Sequence, residues 1–266
     1  MALIGTLTSG VSALRTFSKG LEVIGSNIAN VNTTAYKSSS TSFKDTFSNT
    51  LRAASASSGD SAMQIGTGVQ IGGITTNFSQ GSLSSTGKGT DLGISGNGYF
   101  AVQNASGINF ATRDGSFHFD TGGNLVNNQG LSVLDTTGSA ITVANYSDVT
   151  SISIGTDGVV NVFYADGTTD NSQGVGLLKI ADESKLMKQG SNMYDFAATG
   201  TVIGDLAGAG TNGLGTIQAG TLELSNVDLT DQFAELITTQ RSFQAGSRLI
   251  TVSDSVLEDI VNLKRS

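Results

Sequence analysis

The chain has 266 residues, a formal net charge of −8 and a pI near 4.5, so nothing in it would neutralise a phosphate backbone or hold it to an anionic membrane surface. It contains no Cys, which excludes disulfides, thiolate chemistry and Cys-ligated zinc. With no Pro, 35 Gly and a hydrophobic share of 38%, the composition suits short strands and tight turns more than one core along the whole length.

At the N-terminus, apolar residues fall at Ile4, Leu7, Val11, Leu14, Phe17, Leu21, Ile24 and Ile28, in steps of three and four. That period predicts a helix carrying a coiled-coil seam. Gly5, Gly10, Gly20 and Gly25 weaken it, each by up to about 1 kcal/mol relative to Ala, so the helix needs partners. Polar residues interrupt the apolar ones and no basic stretch precedes them, so no cleaved secretory signal is expected. No apolar run approaches the roughly 20 residues of a membrane-spanning helix.

Residues 1–37 are expected to be this helix and the turn that ends it, and residues 38–75, rich in Ser, Ala and Thr, an extended arm. Residues 76–216 are expected to be a central β domain. Its strands include Gly98–Val102 and Ser116–Phe119, the latter turning through Thr121–Asn124 into Leu125 and Val126. Ser151–Ile154 alternates in period two, and Thr156–Gly158 is a hairpin signal leading into Val159–Phe163. Residues 199–216 read as a Gly-rich loop. Residues 217–266 are expected to be a return strand and a C-terminal helix.

In that last helix Leu229, Leu236, Phe243, Ile250 and Leu257 recur every seven residues. The alternate seam positions are taken as Phe233, Gln240, Ser247, Asp254 and Val261, three of them polar, so the apolar stripe is narrow. Asp228 is placed to cap the helix, Asp231 to favour its first turn, and Lys264 and Arg265 its last. The fold class is therefore α+β: N- and C-terminal helices pairing as a coiled-coil-like unit that flanks a central all-β domain of sandwich or barrel type. Two sticky helices at opposite ends of one β domain make a subunit for a helical polymer.

Motifs for chemistry are weak. The single His, His118, alternates with Phe117 and Phe119 and points away from both, toward solvent or a subunit contact. Gly81–Gly89 has one residue too many for a phosphate loop, and Gly89 stands where a Mg²⁺-binding hydroxyl is needed. Gly208–Gly213 matches GxGxxG but leads into no helix. Asp166, Asp170 and Asn171 lack the spacing of a calcium loop and read as a hairpin tip. No catalytic residue, cofactor site or metal site is expected. A secreted enzyme would need a catalytic constellation, and an adhesin-like β module would not need patterned helices at both ends.

The segment Gly25–Lys37, GSNIANVNTTAYK, resembles the N-terminal signature of the flagellar hook and basal-body rod proteins. Met63–Val69, Asn77–Leu83, Thr90–Phe100 and Gly215–Gly220 resemble that family's entry to and return from its β domain, and Leu224–Leu229 with Thr239–Ala245 its C-terminal helix. Its signature residues are carried here by Asn27, Asn30, Asn32, Thr33, Tyr36, Lys37, Asn226, Asp228, Gln240 and Arg241. The family usually has Gly where this chain has Ala35. MQIGTGV, TTNFSQGSL and the final residues look more like hook than rod, whereas the length suits the distal rod.

The resemblance implies a structural subunit of the flagellar hook, a helical tube that passes motor torque to the filament; the alternative is the distal rod of the basal body. It implies type III export without a cleaved signal and terminal helices lining the tube. Partners would be further copies of itself, a hook cap scaffold, rod and hook–filament junction proteins and the export apparatus, with no nucleic acid, no small-molecule substrate and no cofactor. The location implied is the extracellular hook, or the periplasmic basal body for a rod subunit.

Overall fold

The computed structural model describes residues 2–52 and 62–265. The side chains at 2–4, 51 and 263–265, and so those of Ile4, Lys264 and Arg265, lie outside the described residues. The described residues fold as two compact units, one within Met1–Asn30, Ser38–Asn77 and Val227–Ser266, the other within Val31–Lys37 and Phe78–Asn226.

The first unit is built on two helices, α1 (Ala2–Ala29) and α2 (Leu229–Arg265). Asp228 caps α2, its carboxylate accepting from the amides of Thr230 at 2.8 Å and Asp231 at 3.4 Å. Asn30 closes α1: its amide and side chain both donate to the Ser26 carbonyl. The unit also holds four strands, β1 (Ser39–Asp45), β2 (Ser48–Arg52), β3 (Met63–Gly66) and β4 (Val69–Thr76), paired antiparallel as β1–β4 and β2–β3. The segment expected as an extended arm thus forms two hairpin-like pairs. One lies along α1 through hydroxyl groups: Ser9 donates to the Thr67 carbonyl at 3.1 Å, Thr16 donates to the Val69 carbonyl at 3.2 Å, and the Val69 amide donates to Ser12 at 3.3 Å. Phe17 and Phe43 add an edge-to-face contact with centroids 5.9 Å apart.

The α1–α2 seam differs in phase from the one expected. Leu236, Phe243, Ile250 and Leu257 are half-buried, but their alternates are Gln232, Thr239, Gly246 and Ser253, one residue earlier in each heptad than the set read from sequence. Thr239 is 9% and Ser253 7% exposed, whereas Phe233 is 50% exposed and Gln240, Ser247 and Asp254 are exposed too. Size decides the phase. A methyl group on Gly10 would lie 3.1 Å from Ile250 and Leu249, and one on Gly246 would lie 3.3 Å from Leu14. Small residues let the backbones approach, and Ser253 satisfies its hydroxyl on the Leu249 carbonyl of its own helix at 2.8 Å.

The second unit contains β5 (Leu83–Ser85), β6 (Leu92–Ser95), β7 (Tyr99–Gln103), β8 (Asn109–Thr112), β9 (Phe117–Phe119), β10 (Leu125–Asn127), β11 (Ser132–Val133), β12 (Val149–Ile154), β13 (Val159–Tyr164), β14 (Thr169–Gly174), β15 (Leu177–Leu178), β16 (Met187–Gly190), β17 (Met193–Asp195), β18 (Thr216–Ala219) and β19 (Thr221–Glu223). Its main sheet runs β16-β17-β8-β7-β11-β10-β9, with β15 also on β7, and is not a closed barrel. The strand β7 is buried on both faces, which is why its sequence is an unbroken apolar run. Phe100 and Val102 enter one core with Phe117, Leu125 and Ile217; Tyr99 and Ala101 enter a second with Leu178, Tyr194 and Phe196. A separate sheet, β12-β13-β14, contributes Ile154, Val160 and Val162 to the first core.

The return segment belongs to this unit and not with the C-terminal helix as expected. The strand β18 pairs β6, β19 pairs β5, and Ile217 is fully buried, so a boundary at 216 would open the core. Residues 31–37, read with the N-terminal helix, likewise lie in the β unit.

Candidate assembly site

Each unit holds its own group of signature residues. In the helical unit the knot is Asn27, buried near the end of α1. Its amide nitrogen donates to the Ser39 carbonyl and to Gln232 of α2, both at 2.8 Å, and its oxygen accepts from the Ser39 amide at 3.0 Å. One side chain thus ties α1, β1 and α2 together, which no hydrophobic residue can do.

In the β unit the signature segment is tied down at each residue from Thr34 to Lys37. The Asn192 side chain, on the turn between β16 and β17, donates to the Thr34 carbonyl at 2.6 Å, and Thr34 donates to Asp114 at 3.2 Å. Ala35 takes a left-handed backbone, φ +56°, and its amide donates to the Glu223 carbonyl at 2.8 Å. That conformation is why Gly suits the position. The Lys188 ammonium lies 5.1 Å from the centre of the Tyr36 ring and donates to the Lys37 carbonyl at 3.1 Å. Asn226 donates to the Ser79 carbonyl at 3.0 Å.

At the centre, Lys37 reaches into the fold, 1% exposed, and donates to Glu223 at 2.6 Å and to the Ser79 carbonyl at 2.8 Å. Glu223 also accepts from the Gly81 amide at 2.9 Å and from Arg113 at 3.5 Å. Arg113 stacks over Tyr99 at 4.9 Å, and the Tyr99 hydroxyl donates to Glu183 at 2.9 Å. Burial holds the Lys37 ammonium below its ordinary pKa, against the pull of Glu223 and with the push of Arg113. Burial also holds the hydroxyls of Tyr99 and Tyr194 well above theirs, Glu183 adding to the shift at Tyr99. Lys37 and Glu223 are sealed from solvent, so this cluster locks a loop and meets no substrate.

The other expected seam residues divide. Leu7, Leu14, Phe17, Leu21 and Ile28 are half-buried and Ile24 is buried, while Val11 and Leu229 are each 39% exposed. Asn32, Gln240 and Arg241 are exposed, and the Thr33 carbonyl accepts the Tyr36 amide. Glu223, Arg113, Lys188 and Asn192 were not singled out in the sequence; the one visible signal was a Glu between two leucines, Leu222-Glu223-Leu224.

The weak chemical motifs are structural. The loop-like Gly81–Gly89 contains β5, Gly208–Gly213 leads into β18, and His118 is exposed between buried Phe117 and half-buried Phe119. Hydrogen bonds from Thr168 and Ser172 hold the Asp166 and Asp170 carboxyls below their usual range as turn caps. Among the described residues no group of three or more His, Asp or Glu could hold a metal ion.

Comparison with known proteins matches three family models: flagella basal body rod protein over residues 7–37, flagellar hook protein FlgE/F/G D1 domain over 93–162, and flagellar basal body rod FlgEFG protein C-terminal over 218–263. The flagellar basal-body rod protein FlgG of Bacillus subtilis is 40% identical, covering 99% of this chain and 100% of its own length. FlgG of Buchnera aphidicola (subsp. Schizaphis graminum) is 34% identical over 91% of this chain and 93% of its own. The flagellar hook-basal body complex protein FlhP of Bacillus subtilis is 26% identical over 96% and 97%. With two paired end helices, a buried signature turn and an end-to-end match of this kind, the chain belongs to the flagellar basal-body rod and hook protein family.

Proposed function

We propose that this chain is a structural subunit of the distal rod of the flagellar basal body, that it polymerises with copies of itself into a helical tube, and that it acts by assembly and not by catalysis. The observation that carries the rod reading over the hook reading is the end-to-end alignment, 99% of this chain against 100% of a rod protein. The alignment runs over 267 residues without a long insertion of the kind that carries the added outer domain usual in hook proteins. The helices support assembly: paired through a half-polar seam, they still expose Phe233, Ile237, Val252, Val256 and Ile260. Rod and junction proteins and the export apparatus are its partners, and the periplasmic part of the flagellum is its place. The test is to delete the gene and image basal bodies. Loss of the distal rod, restored by the gene in trans, is expected; a complete rod lacking only its hook would return the protein to the hook.

A further inference from the structure

The sealed cluster of the β unit holds more positive than negative charge. Lys37 and Arg113 both turn to one carboxylate, Glu223, and all three side chains are at most 4% exposed. The Lys37 ammonium sits 2.6 Å from Glu223, whereas Arg113 Nη1 is 3.5 Å away, at the outer limit of a hydrogen bond. Two further carboxylates are engaged elsewhere. Glu183 is half-buried and accepts the Tyr99 hydroxyl, and Asp114 accepts from Thr34 and Ser116. Arg113 Nε is buried and has no hydrogen-bond partner among the described residues. Covalent geometry places that N–H on the edge shared with Nη2, away from the Nη1 that meets Glu223.

We infer that this Nε edge of Arg113 binds a chloride ion, which completes the lock on the signature segment. Charge selects an anion over a water molecule. A water would satisfy the N–H but leave two buried cations sharing one carboxylate, and a buried cation short of counter-charge is strongly unfavourable. Burial selects the size. With the Arg113 side chain 4% exposed, the contact left to it suits a single-atom ion and not one as large as phosphate.

The test is urea unfolding of the full-length monomer, following the β transition over about a hundredfold range of chloride with gluconate holding ionic strength constant. An ion bound only by the folded state raises the folding constant about tenfold for each tenfold rise in chloride above its dissociation constant. Arg113→Met should abolish that rise. Glu183→Gln, which removes a neighbouring negative charge and leaves the guanidinium in place, should move it to lower chloride. The chloride NMR line should broaden with folded wild type and narrow again when bromide competes. A wild-type folding constant indifferent to chloride overturns the site and leaves Nε to water. A chloride response that survives Arg113→Met and is unmoved by Glu183→Gln puts the ion elsewhere and overturns it equally. Should Arg113→Met fail to fold, Glu183→Gln decides alone: a response shifted to lower chloride supports the site, and an unshifted one overturns it.

Discussion

The two units each bury a signature residue, Lys37 and Asn27, but differ in how far they bury their apolar side chains. In the β unit, burial is complete: β7 has a core on each face, and the cationic Lys37 is sealed beside a carboxylate. In the helical unit, the buried positions of α2 are Thr239 and Ser253, and its larger apolar side chains are half-buried or exposed. Burying an apolar side chain contributes about 1.5–3 kcal/mol, so the β unit carries its own stability and the helical unit leaves much of it to be gained from neighbours. A helix seamed with small residues is marginal alone because nucleation is costly and few contacts repay it. We propose a division of labour: a β body that folds independently and a helical part whose order is coupled to assembly.

The sharpest break of that comparison is Glu223→Ala. It leaves Lys37 and Arg113 buried without their carboxylate, and removing one partner of a buried pair costs about 3–5 kcal/mol. Denaturant unfolding of the monomer should show the loss in the β transition. A midpoint unchanged from wild type would mean that the cluster is not a lock. Next comes Leu236→Asp in the helical seam, which forfeits about half of the roughly 1.5–3 kcal/mol that full burial of a Leu contributes and adds a partly desolvated charge. The monomer's β transition should stay where it is while sedimentable polymer disappears; normal polymer from this variant would contradict the role of the seam.

Alkaline titration separates the units by their tyrosines. Tyr99 and Tyr194 hold their protons more tightly folded than unfolded, so their contribution is full below the ordinary value of 10.0 and is lost as pH rises past it. Lys37, lowered by burial, works the other way and gains stability with pH until its ordinary value of 10.5. Loss of the β transition should therefore steepen above that value. Tyr194→Phe should flatten the fall, and an equally steep fall in the variant would discount the tyrosine. The smallest effect expected is Gly25→Ala. Nothing lies within 4 Å of the methyl it would add, so α1 should gain up to about 1 kcal/mol of helix stability. The gain should appear as extra monomer helicity by circular dichroism, and no gain would indicate that α1 is already fully formed in the monomer.

Much of this was legible in the sequence where a short-range signal exists. The seven-residue repeat of Leu236, Phe243, Ile250 and Leu257 located α2, Asp228 located its start, and the run from Tyr99 to Val102 located the central strand. The phase of the seam was not legible because apolar weight alone favours Phe233 and Val261, whereas Gly246 and Gly10 win by letting two backbones close. Pairings distant in sequence were also hidden. The partners Lys37 and Glu223 lie 186 residues apart, and nothing local in Thr-Ala-Tyr-Lys says that the ammonium turns inward. The hydroxyl contacts from Ser9, Ser12 and Thr16 of α1 to Thr67 and Val69 were hidden too, because Ser and Thr carry no periodic signal of burial.

Hydrogen exchange, followed by peptide mass spectrometry on monomer and polymer, tests the coupling of folding to assembly most directly. In the monomer, amides of β7, β8 and β18 should be strongly protected while those of α1 and α2 exchange orders of magnitude faster. In the polymer, both helices should become protected to the level of β7. Helices protected in the monomer as well as the β core, with no gain on polymerising, would show that the helical unit folds alone and that the division of labour is wrong.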